Sequence, residues 1–135
     1  MAGSKLDIVR LPLNGSSSGP KRIIEERGEL VVLRPEGPVY NPVYFDIHPG
    51  VGRFRGSHYH VEKTEYFYVI SGSCRIRHVD LETMENGFVI AVQGDMVTVA
   101  PHCAHILEAV EHCRVMEYSS TVVDYGKDTI PYKFD

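Results

Sequence analysis

The chain has 135 residues, the length of one ordinary domain, and 43% of them are hydrophobic, enough for one core. A formal net charge of −4 argues against nucleic-acid binding, and no apolar stretch approaches the roughly 20 residues of a membrane-spanning helix. Because the N-terminus lacks an apolar signal core and the three cysteines form no C-x-x-C pair, we expect a cytoplasmic protein without a disulfide framework.

The sequence pattern, taken in chain order, predicts an all-β domain. Residues 14–20 are rich in Gly, Ser and Pro and indicate a loop, and residues 25–27 indicate a solvated turn. Strands are predicted at 29–34, 43–47, 64–71, 73–79, 87–92, 95–100, 105–110 and 113–118. Many short strands without a helical apolar period favour a sandwich or barrel. We therefore expect an N-terminal extension and loop (1–28), a barrel (29–118) and a C-terminal tail lying on the barrel (119–135).

A group of side chains that could bind a metal ion begins at His58 and His60. These are two residues apart, so on a strand both imidazoles point to one face. Glu65 follows on the next strand and shares its face with apolar residues, where a carboxylate is costly unless a cation compensates it. His105 opens a later strand and can supply a fourth ligand. Three imidazoles and one carboxylate suit Zn, Fe, Mn, Co or Ni better than Mg or Ca.

The H-x-H pair by itself is equally typical of surface histidines, but the wider spacing is specific. Five residues separate Gly52 from His58, four separate His60 from Glu65, and six separate Glu65 from Gly72. This spacing resembles the first conserved motif of the cupin family, and the segment from Gly94 to His105 resembles the second. The second motif departs from the family where Ala100, His102 and Ala109 replace the usual proline, glycine and asparagine. The resemblance implies a jelly-roll β-barrel.

Residues 48–135 carry a narrower resemblance. The segments HPG (48–50), RG-x-HYH (55–60), RHVD (77–80) and DYGKDTIPY (124–132) are similar to the C-terminal cupin domain of capsular-polysaccharide enzymes that epimerise and reduce UDP-linked keto sugars. That resemblance implies a metal-bound cupin that epimerises a 4-keto sugar. The ERGELVVL start (26–33) also resembles the dTDP-keto-sugar 3,4-ketoisomerases, although the two histidines there resemble acid/base residues. The glutamate at position 65 favours the metal-binding branch.

The chemistry implied by these families is removal of a proton next to a ketone. A metal polarises the ketone oxygen, and positioned side chains move the protons. Candidate catalytic residues near the motifs are Lys63, Tyr66 and His102; a solvated turn lysine, an interface tyrosine and a surface histidine are the simpler interpretations. Candidate substrate-binding residues are Arg55, whose planar guanidinium suits a diphosphate, with Tyr44 and Tyr68 as possible aromatic contacts.

The leading hypothesis is therefore a metal-dependent epimerase or isomerase of a nucleotide-linked 4-keto sugar, in polysaccharide or deoxysugar biosynthesis. Two alternatives share the fold: an Fe-dependent dioxygenase or lyase of a small organic acid, and a non-catalytic sugar-binding cupin. We expect a homodimer, because strand edges and the aromatic face of Tyr66, Tyr68 and Ile70 need cover. The expected partner is a small-molecule nucleotide sugar, with neither nucleic acid nor membrane.

Overall fold

A computed structural model describes residues 4–12, 19–33, 38–119 and 121–135. Most of the loop predicted at 14–20 lies outside these residues. The strands and the one short helix are β1 (Leu6–Arg10), β2 (Lys21–Glu25), β3 (Gly28–Val32), β4 (Tyr40–Ile47), β5 (Phe54–His60), β6 (Glu65–Asp80), β7 (Asn86–Val92), β8 (Asp95–Val99), β9 (Cys103–Ser119), α1 (Tyr125–Asp128) and β10 (Thr129–Pro131).

Eight of the described strands form one antiparallel sheet. Its order is β1-β8-β6-β9-β5-β10, with β4 also paired to β9 and β7 to β6, while β2 and β3 form a separate hairpin. This is the all-β, cupin-type barrel that the sequence predicts. The N-terminal segment supplies β1, which pairs with β8 from Leu6 opposite Val99 to Arg10 opposite Asp95. The domain boundaries at residues 28 and 118 stay predictions.

Two long strands organise the sheet. The sequence predicts separate strands at 64–71 and 73–79, and again at 105–110 and 113–118; this is wrong, because β6 and β9 each run through the predicted break. The register between them shifts around Ser71–Ser73, so the Ser71-Gly72 signal marks a β-bulge rather than a turn. On their outer edges β6 pairs first with β8 and then with β7, and β9 pairs with β5 and then with β4.

The two faces of β6 pack into two different apolar clusters. Phe67 and Val69 face the main core inside the barrel, together with side chains such as Val97, Leu107 and Val115. Tyr68 faces a second cluster that contains Tyr118, with Tyr66 and Ile70 packed against it. Val31 and Leu33, at the end of the hairpin strand β3 and just beyond it, pack on this second cluster, so the chain itself covers part of the aromatic face that we expected a partner to cover.

The state of the three cysteines and the length of the helix are two further features of the fold. Cys74, Cys103 and Cys113 are buried free thiols. In the part of the chain that the structure describes, no helix is long and apolar enough to cross a membrane.

The β-bulge at Gly72 provides a test of the fold. Gly72 has a φ of +78°, and a Cβ there would lie 1.9 Å from the carbonyl oxygen of His112. Gly52 has a nearly identical φ of +76°, but a Cβ there meets nothing within 4 Å. We expect Gly52→Ala to lower the free energy of unfolding by roughly 1–2 kcal/mol, the cost of left-handed backbone. Gly72→Ala should cost at least about 2 kcal/mol more, because the backbone must also move. Urea denaturation of both variants measures the difference, and equal losses would contradict the bulge geometry.

Candidate metal centre

Three strands bring the four candidate ligands together. His58 and His60 end β5, Glu65 begins β6, and His105 lies near the start of β9, directly opposite His58. The close approach of β5 to β9 depends on Gly56, since a Cβ at this position would lie 2.8 Å from the carbonyl oxygen of His105. A register shift between Gly56 and His58 then turns the H-x-H pair toward the barrel interior.

The ligand-type atoms of His58, His60, Glu65 and His105 all lie within 4.8 Å of one another. Glu65 Oε1 is 3.0 Å from His60 Nε2 and 2.9 Å from His105 Nε2. His60, Glu65 and His105 are almost completely buried, with exposed fractions of 4%, 3% and 1%. His58 is half-buried and adjoins the other two imidazoles, with ring centroids 4.7 Å from His60 and 4.9 Å from His105.

Hydrogen bonding on the outer side of His105 determines which nitrogen faces the cluster. His105 Nδ1 lies 2.9 Å from the carbonyl oxygen of Cys103, and a carbonyl can only accept. In the neutral ring Nδ1 therefore carries the proton, which leaves the lone pair of Nε2 for a metal ion. Glu65 Oε1, His60 Nε2 and His105 Nε2 are all buried without a hydrogen-bond partner. A cation would compensate buried ligand-type atoms that converge in this way, so the residues fit a bound metal ion.

The protonation of the cluster agrees with this fit. Burial, together with the neighbouring His105, lowers the pKa of His58 to about 4, so its ring is neutral at pH 7 and has a lone pair to offer. Burial alone would raise the pKa of Glu65, but His105 and His60 outweigh burial and hold that pKa well below its usual range. Glu65 is therefore a carboxylate, which is the form that coordinates a cation.

Two further ionisable groups lie behind Glu65. Lys63 is 1% exposed, and its Nζ lies 3.4 Å from Glu65 Oε2 and 4.0 Å from Glu117 Oε2. Burial and the Glu65 carboxylate raise the pKa of Glu117 to about 9. Glu117 was missed from the sequence, although its signal resembles the one that identified Glu65: a carboxylate that shares a strand face with the apolar side chains Cys113 and Val115.

Two of the four candidate ligands, His58 and His105, line a cavity of about 230 Å³. Its lining consists of Val43, Phe45, Arg55, Gly56, His58, Phe67, His105, Leu107 and Glu117. Arg55 is held there by hydrogen bonds from its Nε and Nη2 to the carbonyl oxygen of Asp46, and its guanidinium lies 5.8 Å from the centre of the Phe45 ring. The cavity thus combines an apolar wall, a fixed cation, a protonated carboxyl group and the candidate metal ligands.

The three tyrosines proposed from the sequence do not line this cavity. Tyr66 stacks on Tyr118 with ring centroids 4.9 Å apart, and the hydroxyl of Tyr68 donates to Glu29 Oε1 at 3.3 Å. Both lie on the face of β6 opposite Glu65. Tyr44 is 53% exposed and alternates with the cavity residues Val43 and Phe45. Their catalytic and substrate-binding roles stay predictions.

His102 occupies the turn before β9. Its φ is +60°, which explains why the matching cupin position is usually glycine. Its backbone N–H donates to the carbonyl oxygen of His60 at 2.8 Å, so the turn is joined to the end of β5. The ring lies 6.2 Å from that of Tyr59, the residue that alternates with the two ligand candidates, and it is not among the residues that line the cavity.

A second group of metal-type side chains lies at the surface, where Asp46, His48 and His112 approach one another. His48 and His112 stack in parallel, with an interplanar angle of 10°, so their nitrogen lone pairs do not converge. His112 Nε2 lies 2.7 Å from Asp46 Oδ2, and hydrogen bonding to His112 lowers the pKa of that carboxyl group. This arrangement is a solvated ion-pair network rather than a coordination site.

Comparison with solved structures supports the fold. A sugar 3,4-ketoisomerase from Thermoanaerobacterium thermosaccharolyticum in complex with TDP superimposes with a TM-score of 0.72 at 17% identity, covering 93% of this chain and 87% of that one. A TDP-fucose 3,4-ketoisomerase from Campylobacter jejuni gives a TM-score of 0.70 at 16% identity, covering 94% and 89%. The dTDP-4-dehydrorhamnose 3,5-epimerase from Sulfolobus tokodaii gives 0.67 at 17%, covering 94% and 76%.

The sequence comparisons then place the chain in a family. No protein of curated function matches the sequence significantly. Residues 24–124, which span nearly all of the barrel including the four candidate ligands, match the family described as the polysaccharide biosynthesis C-terminal domain. With its RmlC-like cupin barrel, the chain belongs to the polysaccharide biosynthesis C-terminal domain family.

Proposed function

We propose that the protein is a metal-dependent epimerase or ketoisomerase of a nucleotide-linked 4-keto sugar. The observation that carries this proposal is the junction of a buried metal-type cluster with a cavity that also presents Arg55 and Glu117. Membership of a polysaccharide-biosynthesis family supports a sugar substrate. The similar folds of TDP-sugar ketoisomerases and epimerases support the nucleotide-linked form.

In this proposal His58, His60, Glu65 and His105 hold one divalent ion. When bound, the ion supplies a Lewis acid that polarises the ketone oxygen of the substrate. Arg55 lines the cavity with a guanidinium already fixed on Asp46, and it binds the diphosphate through its remaining donors. The apolar wall formed by Phe45 and Phe67 excludes water from the reacting carbon.

Epimerisation takes one proton off a carbon of the sugar and returns one proton to the same carbon. Ketoisomerisation returns the proton to the neighbouring carbon and also moves the hydroxyl proton from the oxygen on C3 to the oxygen on C4. A base takes the proton next to the ketone, and the resulting enediolate receives a proton at the same or the neighbouring carbon. We assign the donor role to Glu117, because its carboxyl group lines the cavity beside His58 and His105. Burial, the larger cause of its raised pKa, favours the protonated form. Of the base candidates proposed from the sequence, Lys63 adjoins both Glu65 and Glu117, whereas Tyr66 and His102 lie outside the cavity lining.

The metal is the first test. Purified protein should carry close to one divalent ion per chain, and His60→Ala or Glu65→Gln should lose it, because each removes a buried ligand. His48→Ala is the matched control, since His48 belongs to the exposed ion-pair network, and its metal content should equal that of the wild type. Elemental analysis after dialysis measures all four proteins. Negligible metal in the wild type and in His60→Ala alike would contradict the proposal.

The second test is proton exchange. Incubation of 4-keto-6-deoxy nucleotide sugars in D₂O should introduce deuterium at C3 or C5. Glu117→Gln should slow this exchange by about 10²–10⁴-fold, the usual contribution of an acid–base group, while it keeps the metal. Glu108→Gln is the control on the same strand, because Glu108 pairs with Arg77 outside the cavity. NMR or mass spectrometry measures the deuterium.

Two outcomes of this experiment would redirect the proposal. Undiminished exchange in Glu117→Gln would remove Glu117 from the mechanism. If no keto-sugar nucleotide exchanges and the Fe(II)-loaded protein consumes O₂ with a small organic acid, the dioxygenase alternative replaces the epimerase. Binding of nucleotide sugars without exchange would favour the sugar-binding alternative.

The third test concerns assembly, for which we propose a homodimer. In the described sheet β7 pairs only with β6, and its Phe88 and Ile90 are 56% and 46% exposed. An apolar edge strand of this kind is stabilised by covering it with a second copy. Light scattering at micromolar concentration should give the mass of two chains, whereas a monomer would contradict the proposal.

A further inference from the structure

The C-terminal segment is bound to the strand that carries the H-x-H pair. β10 pairs with β5 so that Thr129 lies opposite His60. Asp128, just before it, is 5% exposed and accepts hydrogen bonds from two consecutive backbone N–H groups. Its carbonyl oxygen accepts from Val61 N at 3.1 Å, and its Oδ1 accepts from Glu62 N at 2.7 Å. Asp128 is therefore held in place beside His60.

The second carboxylate oxygen of Asp128 has no such partner. Asp128 Oδ2 is buried without a hydrogen bond and lies 3.5 Å from His60 Nδ1. Thr129 Oγ1 lies 3.2 Å from the same nitrogen. The outer side of the His60 ring thus faces one hydroxyl, which can donate or accept, and one carboxylate, which can only accept.

We propose that Asp128 is a positioning residue that fixes the tautomer of His60, an inference that rests on the proposed metal centre. A neutral imidazole carries one N–H, and a buried carboxylate near Nδ1 favours the form in which Nδ1 carries it. The opposite form would direct the Nδ1 lone pair at the negative charge of Asp128. Glu65 Oε1 lies 3.0 Å from His60 Nε2 and competes for the same proton in the metal-free protein. A metal ion held by both atoms would remove that competition and leave the proton on Nδ1, beside Asp128.

His105 shows the same arrangement with a different acceptor. Its Nδ1 faces the carbonyl oxygen of Cys103 at 2.9 Å, and its Nε2 faces Glu65 Oε1 at 2.9 Å. In both rings the acceptor lies on the outer nitrogen and the ligand atom on the inner one, the usual relation of metal-bound histidines to their outer partners. The acceptor at His105 belongs to the backbone, whereas the acceptor at His60 is a side chain that mutation can change.

Asp128→Asn is the informative variant because it is isosteric. Its amide oxygen can still accept from Glu62 N, so the connection between β5 and the C-terminal segment is kept. Its amide nitrogen then takes the place of Oδ2 and donates to His60 Nδ1, which reverses the preferred tautomer. The proton moves to Nε2, where it blocks the position that a metal requires.

The experiment reads the tautomer directly in the metal-free protein. Two-bond ¹H–¹⁵N correlation spectra of the His60 ring, at a pH where the ring is neutral, should show a larger share of Nδ1–H in the wild type than in Asp128→Asn, in which Nε2–H should dominate. Affinity for Zn²⁺, measured by competition with a chromophoric chelator, should fall about 10–100-fold in Asp128→Asn. Asp124→Asn is the control, because Asp124 belongs to the same segment but is exposed, and its hydrogen bonds to the described residues lie within its own turn. It should change neither quantity.

Thr129→Val provides a test that does not depend on the folding of Asp128→Asn. With the hydroxyl removed, the carboxylate alone should keep the wild-type share of Nδ1–H, and a fall of that share to the Asp128→Asn value would overturn the assignment to Asp128. The assignment also fails if Asp128→Asn retains Nδ1–H and matches Asp124→Asn in Zn²⁺ affinity. If the wild type binds no Zn²⁺, the proposed metal centre is wrong. The tautomers measured in the metal-free proteins still test whether Asp128 controls the protonation of His60.

Discussion

The structure depends on one buried charge: a carboxylate oxygen of Glu65 that lies about 3 Å from two imidazole nitrogens. Burial of such a group is costly unless a positive charge compensates it. Lys63 supplies part of that charge, and the proposed metal ion supplies the rest. The surface network of Asp46, His48 and His112 contains the same residue types. Water screens its charges, so no buried charge has to be compensated there.

The need to compensate the buried charge of Glu65 also explains which residues surround the cluster. Each buried imidazole of the cluster has an acceptor behind it, the Cys103 carbonyl for His105 and the Asp128 carboxylate for His60. The pKa of Glu117 shifts in the opposite direction from that of Glu65, because a second carboxyl group beside the Glu65 carboxylate retains its proton. One site therefore holds an ionised and a protonated carboxyl group a short distance apart, the combination that acid–base chemistry uses.

The sequence predicts the local features of this molecule better than the long-range ones. Alternation identified most strands, and the spacing of the two motifs identified four side chains that the structure brings together. The bulge at Gly72 was misread as a turn, because a left-handed glycine serves both and only the partner strand distinguishes them. Glu117 carried a usable signal that was overlooked. Asp128 lies in the segment 124–132 that carries the family resemblance, but its contact with His60 could not be predicted, because the contact arises from the pairing of β10 with β5, which no local pattern specifies.

The continuity of β9 has a consequence for the shape of the cavity. His105 and Glu117 lie on this one strand, and twelve residues of straight strand would separate them by roughly 40 Å. Both nevertheless line the same cavity of about 230 Å³. The curvature of a single backbone segment, rather than the docking of two elements, therefore sets the distance across the cavity. A substitution that straightens β9 would widen the cavity without altering any side chain in its wall, so the size of the cavity is a property of the bend.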